Sequence, residues 1–120
     1  MSDLKHLLLE YQELLQFADI ALVSPNQVGI DEDAPIHVAA RAGNSEHMIA
    51  FIRNNADINQ AGDLGNTPLH WASACGNIDT VRLLVESGAR CDVRNEFLQT
   101  PLDVAQLGGH YVIVDFLRSR

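Results

Sequence analysis

His37, His70 and Asp103 lie 33 residues apart, and two imidazoles with a carboxylate are the groups of a zinc site or a catalytic triad. Cys75 and Cys91 add two thiols, and Asp31, Glu32 and Asp33 make an acidic run attractive to a cation. The surrounding spacing supports none of these chemistries. Two cysteines are too few for a disulfide framework and match no zinc motif, so both read as reduced thiols. The acidic run lacks the alternation of a calcium loop, and it reads as a solvated turn or a contact for a basic partner. The chain has no glycine-rich phosphate loop, nucleophile elbow or paired carboxylates.

The interval of 33 is the stronger signal. Pro35, Pro68 and Pro101 share it with Ala39, Ala72 and Ala105, and with Gly43, Gly76 and Gly109. Three residue types in step over three copies define an internal repeat. The copies run over 33–65, 66–98 and 99–120, the last cut short. Equivalent positions on stacked helices stand roughly 8–10 Å apart, whereas zinc ligands lie about 2.0–2.2 Å from one shared ion. His37, His70 and Asp103 therefore cannot converge, and a structural hydrogen-bonding role is expected for them, with no catalytic residue, metal or cofactor. His6, His47 and His110 have no ligand-like spacing and read as surface residues.

Each copy places proline where a short helix begins, since its fixed φ suits the first helical position and its missing N–H costs nothing there. In the second copy the spacing predicts a helix over 68–75, a break at Gly76, and a second helix over 78–87 with Val81, Leu84 and Val85 inward. Gly88 ends it. Ala39, Ala72 and Ala105 let neighbouring helices approach closely. The polar stretches 59–66 and 92–99 suit tight projecting turns, with Gly65 left-handed. Upstream, Leu4, Leu7, Leu8, Tyr11, Leu14, Leu15, Ala18 and Leu22 have helical spacing, which predicts an N-terminal helical cap over 1–24 and a linker turn over 25–32. Glu10, Glu13 and Asp19 on its polar face argue against a membrane-surface helix. Fewer than three heptads are available for a coiled coil, so packing on the first copy is preferred.

With 120 residues and 47% hydrophobic content, the chain is expected to form one domain with a continuous core. No stretch approaches the roughly 18 apolar residues of a membrane span, and the start Met1, Ser2, Asp3 lacks the basic region of a secretory signal. An intracellular, cytoplasmic protein is expected. The net charge of −8 repels phosphate backbones, so nucleic acid is not an expected partner. Residues 1–32 carry six acids and one base, whereas 99–120 carry two of each. A basic partner would be steered toward the first third, although such acidity also serves plain solubility.

Thr67, Pro68, Leu69, His70, Trp71 and Ala72, followed by Gly76, Asn77, Leu83, Leu84, Gly88 and Ala89, resemble an ankyrin repeat. The first copy keeps Pro35, Ile36, His37, Ala39, Ala40, Gly43 and Asn44 but has Ala34 for the threonine. The third keeps Thr100, Pro101, Leu102, Ala105, Gly109 and His110, with Asp103 in the histidine position. The resemblance spans about residues 30–120 and implies an all-α solenoid of stacked helix-turn-helix units with projecting turns. In that family the threonine and histidine tie turn to helix, so Ala34 and Asp103 are expected to weaken the tie in the outer copies. Leu98 replaces the turn glycine matched by Gly65, leaving either a distorted turn or an apolar tip.

The resemblance further implies binding of another protein through turn tips and the exposed side of the first helices. Carried over by position, that surface is Asp31, Asp33, Asp63, Leu64, Asn66, Trp71, Ala74, Glu96, Phe97, Gln99 and Leu107. Phe97 is either a contact or packed beneath its own turn, and Trp71 is either a half-buried packing residue or a contact. Tyr111 and Val112 form a second apolar patch or cover the C-terminal end. The expected protein is a monomeric, non-catalytic binding module that scaffolds or occludes its partner. One alternative is an inhibitor or immunity-type protein masking a basic enzyme, and another, of a different class, is a small-ligand binder or enzyme.

Overall fold

A proline at the start and a left-handed glycine near the end delimit the first helix of each repeat. The computed structural model describes Leu4, Leu7, Leu8 and residues 33–120. The repeats supply three helix pairs: α1 (Pro35–Ala42) with α2 (Ser45–Arg53), α3 (Pro68–Cys75) with α4 (Ile78–Glu86), and α5 (Pro101–Leu107) with α6 (Tyr111–Arg118). Ala34, Thr67 and Thr100 precede the prolines in extended conformation, with φ of −88°, −87° and −85°. Gly43, Gly76 and Gly109 then turn the chain at φ of 69°, 77° and 71°, a conformation in which glycine avoids the Cβ penalty. The chain re-enters α2 through Asn44, whose Oδ1 accepts the His47 N–H at 3.0 Å.

The first helices form an inner row in which α3 packs between α1 and α5, and α2, α4 and α6 form the outer row. Ala39, Ala72 and Ala105 are all fully buried in the inner row, where a larger side chain would hold the backbones apart. Behind them, Ile36, Met48, Phe51, Leu69, Val81, Leu84 and Ile113 make one continuous core, joined by Leu7 and Leu8. These two leucines are helical and 7% and 3% exposed. The remainder of the expected cap and linker, with His6 and Asp31, lies outside the described residues.

Neighbouring repeats also interlock where their helix pairs turn. The Asn77 side chain rests against Gly43, and the His110 ring rests against Gly76 and Gly108. His110 is half-buried, and its Nε2–H donates to the Ala74 carbonyl at 3.0 Å. The expectation of a surface histidine is corrected here, because position 110 stacks on the glycine of the preceding repeat. His47 is likewise half-buried.

Over-packing the inner row tests this arrangement. Ala72→Leu is expected to cost about 1–3 kcal/mol through displaced side chains and backbone, measured by chemical denaturation; an unchanged midpoint would contradict the close approach of α1, α3 and α5.

Candidate protein-interaction surface

The turns before α3 and α5 are built alike from backbone hydrogen bonds. The Gly62 N–H donates to the Asn66 carbonyl at 2.9 Å and, one repeat later, the Asn95 N–H donates to the Gln99 carbonyl at 3.0 Å. At the tips, Leu64, Gly65 and Leu98 have φ of 58°, 74° and 63°. Leu98 thus adopts the same left-handed conformation as the glycine it replaces and stands 70% exposed. Of the two outcomes open for this turn, the apolar tip is the one formed. A bulky residue in that region carries strain.

Asn95 organises the second turn from within. It is 6% exposed, its Oδ1 accepts the Phe97 and Gln99 N–H groups at 2.9 and 3.0 Å, and its Nδ2 donates to Asn66 Oδ1 at 2.9 Å and Gln99 Oε1 at 3.1 Å. Sequence reasoning passed over Asn95, although asparagine in a turn commonly bonds backbone two residues on. A direct bond from the Glu96 N–H to the Leu64 carbonyl, at 2.9 Å, joins the two tips.

Histidines fasten the turns to the inner helices. His70 is 1% exposed, and its Nε2 lies 2.8 Å from the Gln99 carbonyl. A carbonyl can only accept, so Nε2 carries the proton and Nδ1 is an acceptor. Nδ1 receives the Thr67 N–H at 3.0 Å and the Thr67 hydroxyl at 2.9 Å. His37 repeats the pattern, accepting the Ala34 N–H at 2.9 Å and donating to the Gln60 carbonyl at 2.7 Å. Burial pushes both imidazoles below the ordinary histidine range by disfavouring their charged form. Asp103 accepts the Thr100 N–H at 3.0 Å, a bond that holds its carboxyl below the usual aspartate range. The outer copies therefore keep the N–H bond of this tie. The first loses the threonine hydroxyl, and the third loses the ring donor.

Asp33 is corrected as a candidate contact because it is 2% exposed. Its Oδ1 accepts the Asp63 N–H at 3.1 Å and its Oδ2 pairs with Arg41 at 3.3 Å. The side chain supplies to the first turn the kind of acceptor that Leu64 supplies to the second. Arg41 in turn lies over the Trp71 ring, 4.7 Å from its centroid. Trp71 is half-buried.

The structure brings Asp63, Leu64, Asn66, Glu96, Phe97 and Gln99 together on the two joined turns. Asp63, Asn66 and Gln99 are half-buried and Glu96 is exposed, while Leu64 is 43% and Phe97 62% exposed. Phe97 does not fold beneath its turn, since most of its surface is open to solvent. Ala74 and Leu107 are exposed at the opposite ends of α3 and α5 from the turns. Leu107 adjoins Tyr111 and Val112 in sequence, and the three are 75%, 69% and 66% exposed. Tyr111 and Val112 line a groove of about 290 Å³ with Ile78 and His110.

Among the described residues, no group of three His, Cys, Asp or Glu side chains is placed to hold a metal ion, and no helix is long and apolar enough to cross a membrane. Cys75 is exposed. Cys91 is half-buried against the core rather than enclosed in it, and its partial burial pushes the thiol up.

Comparison with known families agrees with this architecture. A family model described as ankyrin repeats (3 copies) matches residues 4–95 and 36–120. No match is found among curated proteins. Ankyrin repeats generally act as non-catalytic modules of protein–protein interaction. The 33-residue period, the three stacked helix pairs with projecting turns and the matched family model together place this chain in the ankyrin repeat family.

Proposed function

We propose that the protein holds a partner protein on the two joined turns and the adjoining face of the inner helices, without catalysis. The observation that carries this reading is the apolar tip. Leu64, Phe97 and Leu98 are 43%, 62% and 70% exposed on turns whose backbone is bonded to Asn95 and to each other. Rigid presentation lowers the entropy lost on binding, and exposed aromatic residues are enriched among binding hot spots. Asp63 and Glu96 flank the tip, with Trp71, Ala74 and Leu107 extending the surface along the inner row.

Charge supports a basic partner. Residues 1–32 contribute −5 of the net −8, and 33–120 contribute −3, from ten acids and seven bases. Electrostatic attraction would therefore be strongest toward the first third and would speed encounter more than it tightens the complex. The same charge disfavours nucleic acid. A monomer acting inside the cell, by scaffolding or occlusion, fits these features.

Affinity capture from the source cell tests the assignment. Phe97→Ala is expected to weaken retention of the captured partner about tenfold, a typical loss for a contact worth somewhat more than 1 kcal/mol, with the melting temperature unchanged. Asp63→Arg should act in the same direction, and retention should fall on raising salt from about 0.15 M toward 1 M as screening shortens the Debye length. Equal retention by wild type and both variants would sink the surface.

A further inference from the structure

Equivalent residues at the turn between the two helices of each repeat change character along the stack. The position near the end of the first helix is Arg41, then Ala74, then Leu107. The two that open the second helix are Ser45 and Glu46, then Ile78 and Asp79, then Tyr111 and Val112. Arginine, serine and glutamate serve the same fold in the first copy, so packing does not call for apolar residues in the third. Leu107, Tyr111 and Val112 are nonetheless largely exposed. Three large apolar side chains kept in water on one turn are unfavourable unless something covers them.

Among the described residues, the joints between repeats end at this same turn. Asn77 rests against Gly43 and His110 against Gly76, so each repeat seats a polar side chain on the glycine of the one before. At Gly109, the next glycine in the series, nothing among the described residues lies within 4 Å of where a side chain would begin. Gly109 lines the same groove as Tyr111 and Val112. The open groove therefore continues the surface through which the repeats already pack on one another.

Charge selects the occupant. Residues 1–98 carry fourteen acids and six bases, the whole of the net −8, whereas 99–120 carry two of each. A basic partner is drawn toward the acidic part of the chain and gains nothing by approaching the neutral end. Two copies of the chain, in contrast, repel least at that end. The turn tips are the competing apolar surface, but Asp63 and Glu96 flank them, and copies meeting there would bring these carboxylates together. On α6, Asp115 and Arg118 share the exposed face with Tyr111, one charge of each sign. We propose that two copies of this protein pair through Leu107, Tyr111 and Val112 about a two-fold axis, each presenting the same patch to the other.

Leu107 lies at the opposite end of α5 from the turn of residues 95–99, so pairing leaves the tips of both copies free. The pair then offers two contact surfaces, and a partner with two matching sites would be held by avidity. That consequence rests on the function proposed above, whereas the pairing does not. Three side chains from each copy are far fewer than the roughly 20–30 residues a side of a standard interface. The pair is therefore weak, with a Kd on the order of 0.1 mM, and the dilute protein is a monomer.

Sedimentation equilibrium of the full chain, without any partner, tests the pairing. Between about 1 µM and about 1 mM the mean mass should rise from the 13.2 kDa of one chain toward twice that value without passing it. Raising salt from about 0.15 M to about 1 M should strengthen pairing severalfold by screening the repulsion between copies, the opposite of its expected effect on partner capture. Val112→Asp installs the residue type that the second copy holds as Asp79, and it should keep the mass at one chain at about 1 mM with the melting temperature unchanged. Backbone NMR over the same dilution should move the resonances of Tyr111 and Val112 and leave those of Phe97 and Leu98 in place. A constant mass of one chain, a mass that climbs past two, pairing weakened by salt, pairing that survives Val112→Asp, or shifts at the tips instead would each overturn the inference. If Val112→Asp does not fold, the wild-type dilution series and its NMR shifts decide. Because no partner is present, failure here is distinct from failure of the capture experiment.

Discussion

His70→Ala should destabilise the protein by about 2–4 kcal/mol and lower its melting temperature by roughly 10–20 °C at neutral pH. The substitution deletes the acceptor of the Thr67 N–H and hydroxyl and the donor to the Gln99 carbonyl. A buried polar group left without its partner costs about 1–3 kcal/mol. Thr67, at 1% exposure, bears the full cost, whereas half-buried Gln99 recovers part of its bonding from water. The cavity left by the ring adds to the loss. Thermal unfolding followed by circular dichroism measures the effect, and a shift below about 3 °C would mean that the ring does not hold turn and helix together. The substitution should also remove the fall in stability below about pH 6.5 that His70 contributes, since alanine takes up no proton.

Phe51→Ala is expected to cost more, about 3–5 kcal/mol. Phe51 lies on α2, is fully buried, and heads the largest enclosed side chains, with Ile36 and Met48. Truncation removes apolar surface that had been withdrawn from water and leaves a void that close-packed neighbours fill only in part. Domains of this size are commonly stable by only about 5–15 kcal/mol, so the variant should sit near the edge of folding. Urea denaturation would register the loss as a lower midpoint at similar slope. A loss under about 1 kcal/mol would show that the core around α2 collapses freely, contrary to the packing described here.

The two substitutions act on different levels of the fold, and the levels differ in how far the sequence discloses them. Proline at the first helical position, threonine or alanine before it, and glycine after the helix are local instructions. They marked where α1, α3 and α5 begin and the break at Gly76, and the left-handed conformation expected at Gly65 is present. The period then placed His37, His70 and Asp103 on successive helices, too far apart to share a ligand. Phe51 stands 33 residues before Leu84, an inward position of the second copy, so the repeat marks it as apolar and inward, while its complete enclosure with Ile36 and Met48 is a result of three-dimensional packing.

The two projecting turns were legible, but not the state of each side chain on and around them. Asp33 reads as an exposed acid, yet it is buried because the Asp63 N–H and Arg41, 30 and 8 residues away, both reach it. His110 reads as a surface residue, yet it packs on the glycine of the preceding repeat, 34 positions back. Phe97 could have packed inward, yet it stands exposed on a turn whose backbone Asn95 organises. By itself the sequence determined the 33-residue repeat and where the inner helices begin, because proline positions and dihedral preferences are read directly along the chain, and the all-α stack followed from the family resemblance those residues carry. Only the tertiary structure decided which polar groups are buried and which apolar ones remain exposed, because those outcomes depend on contacts between one repeat and the next.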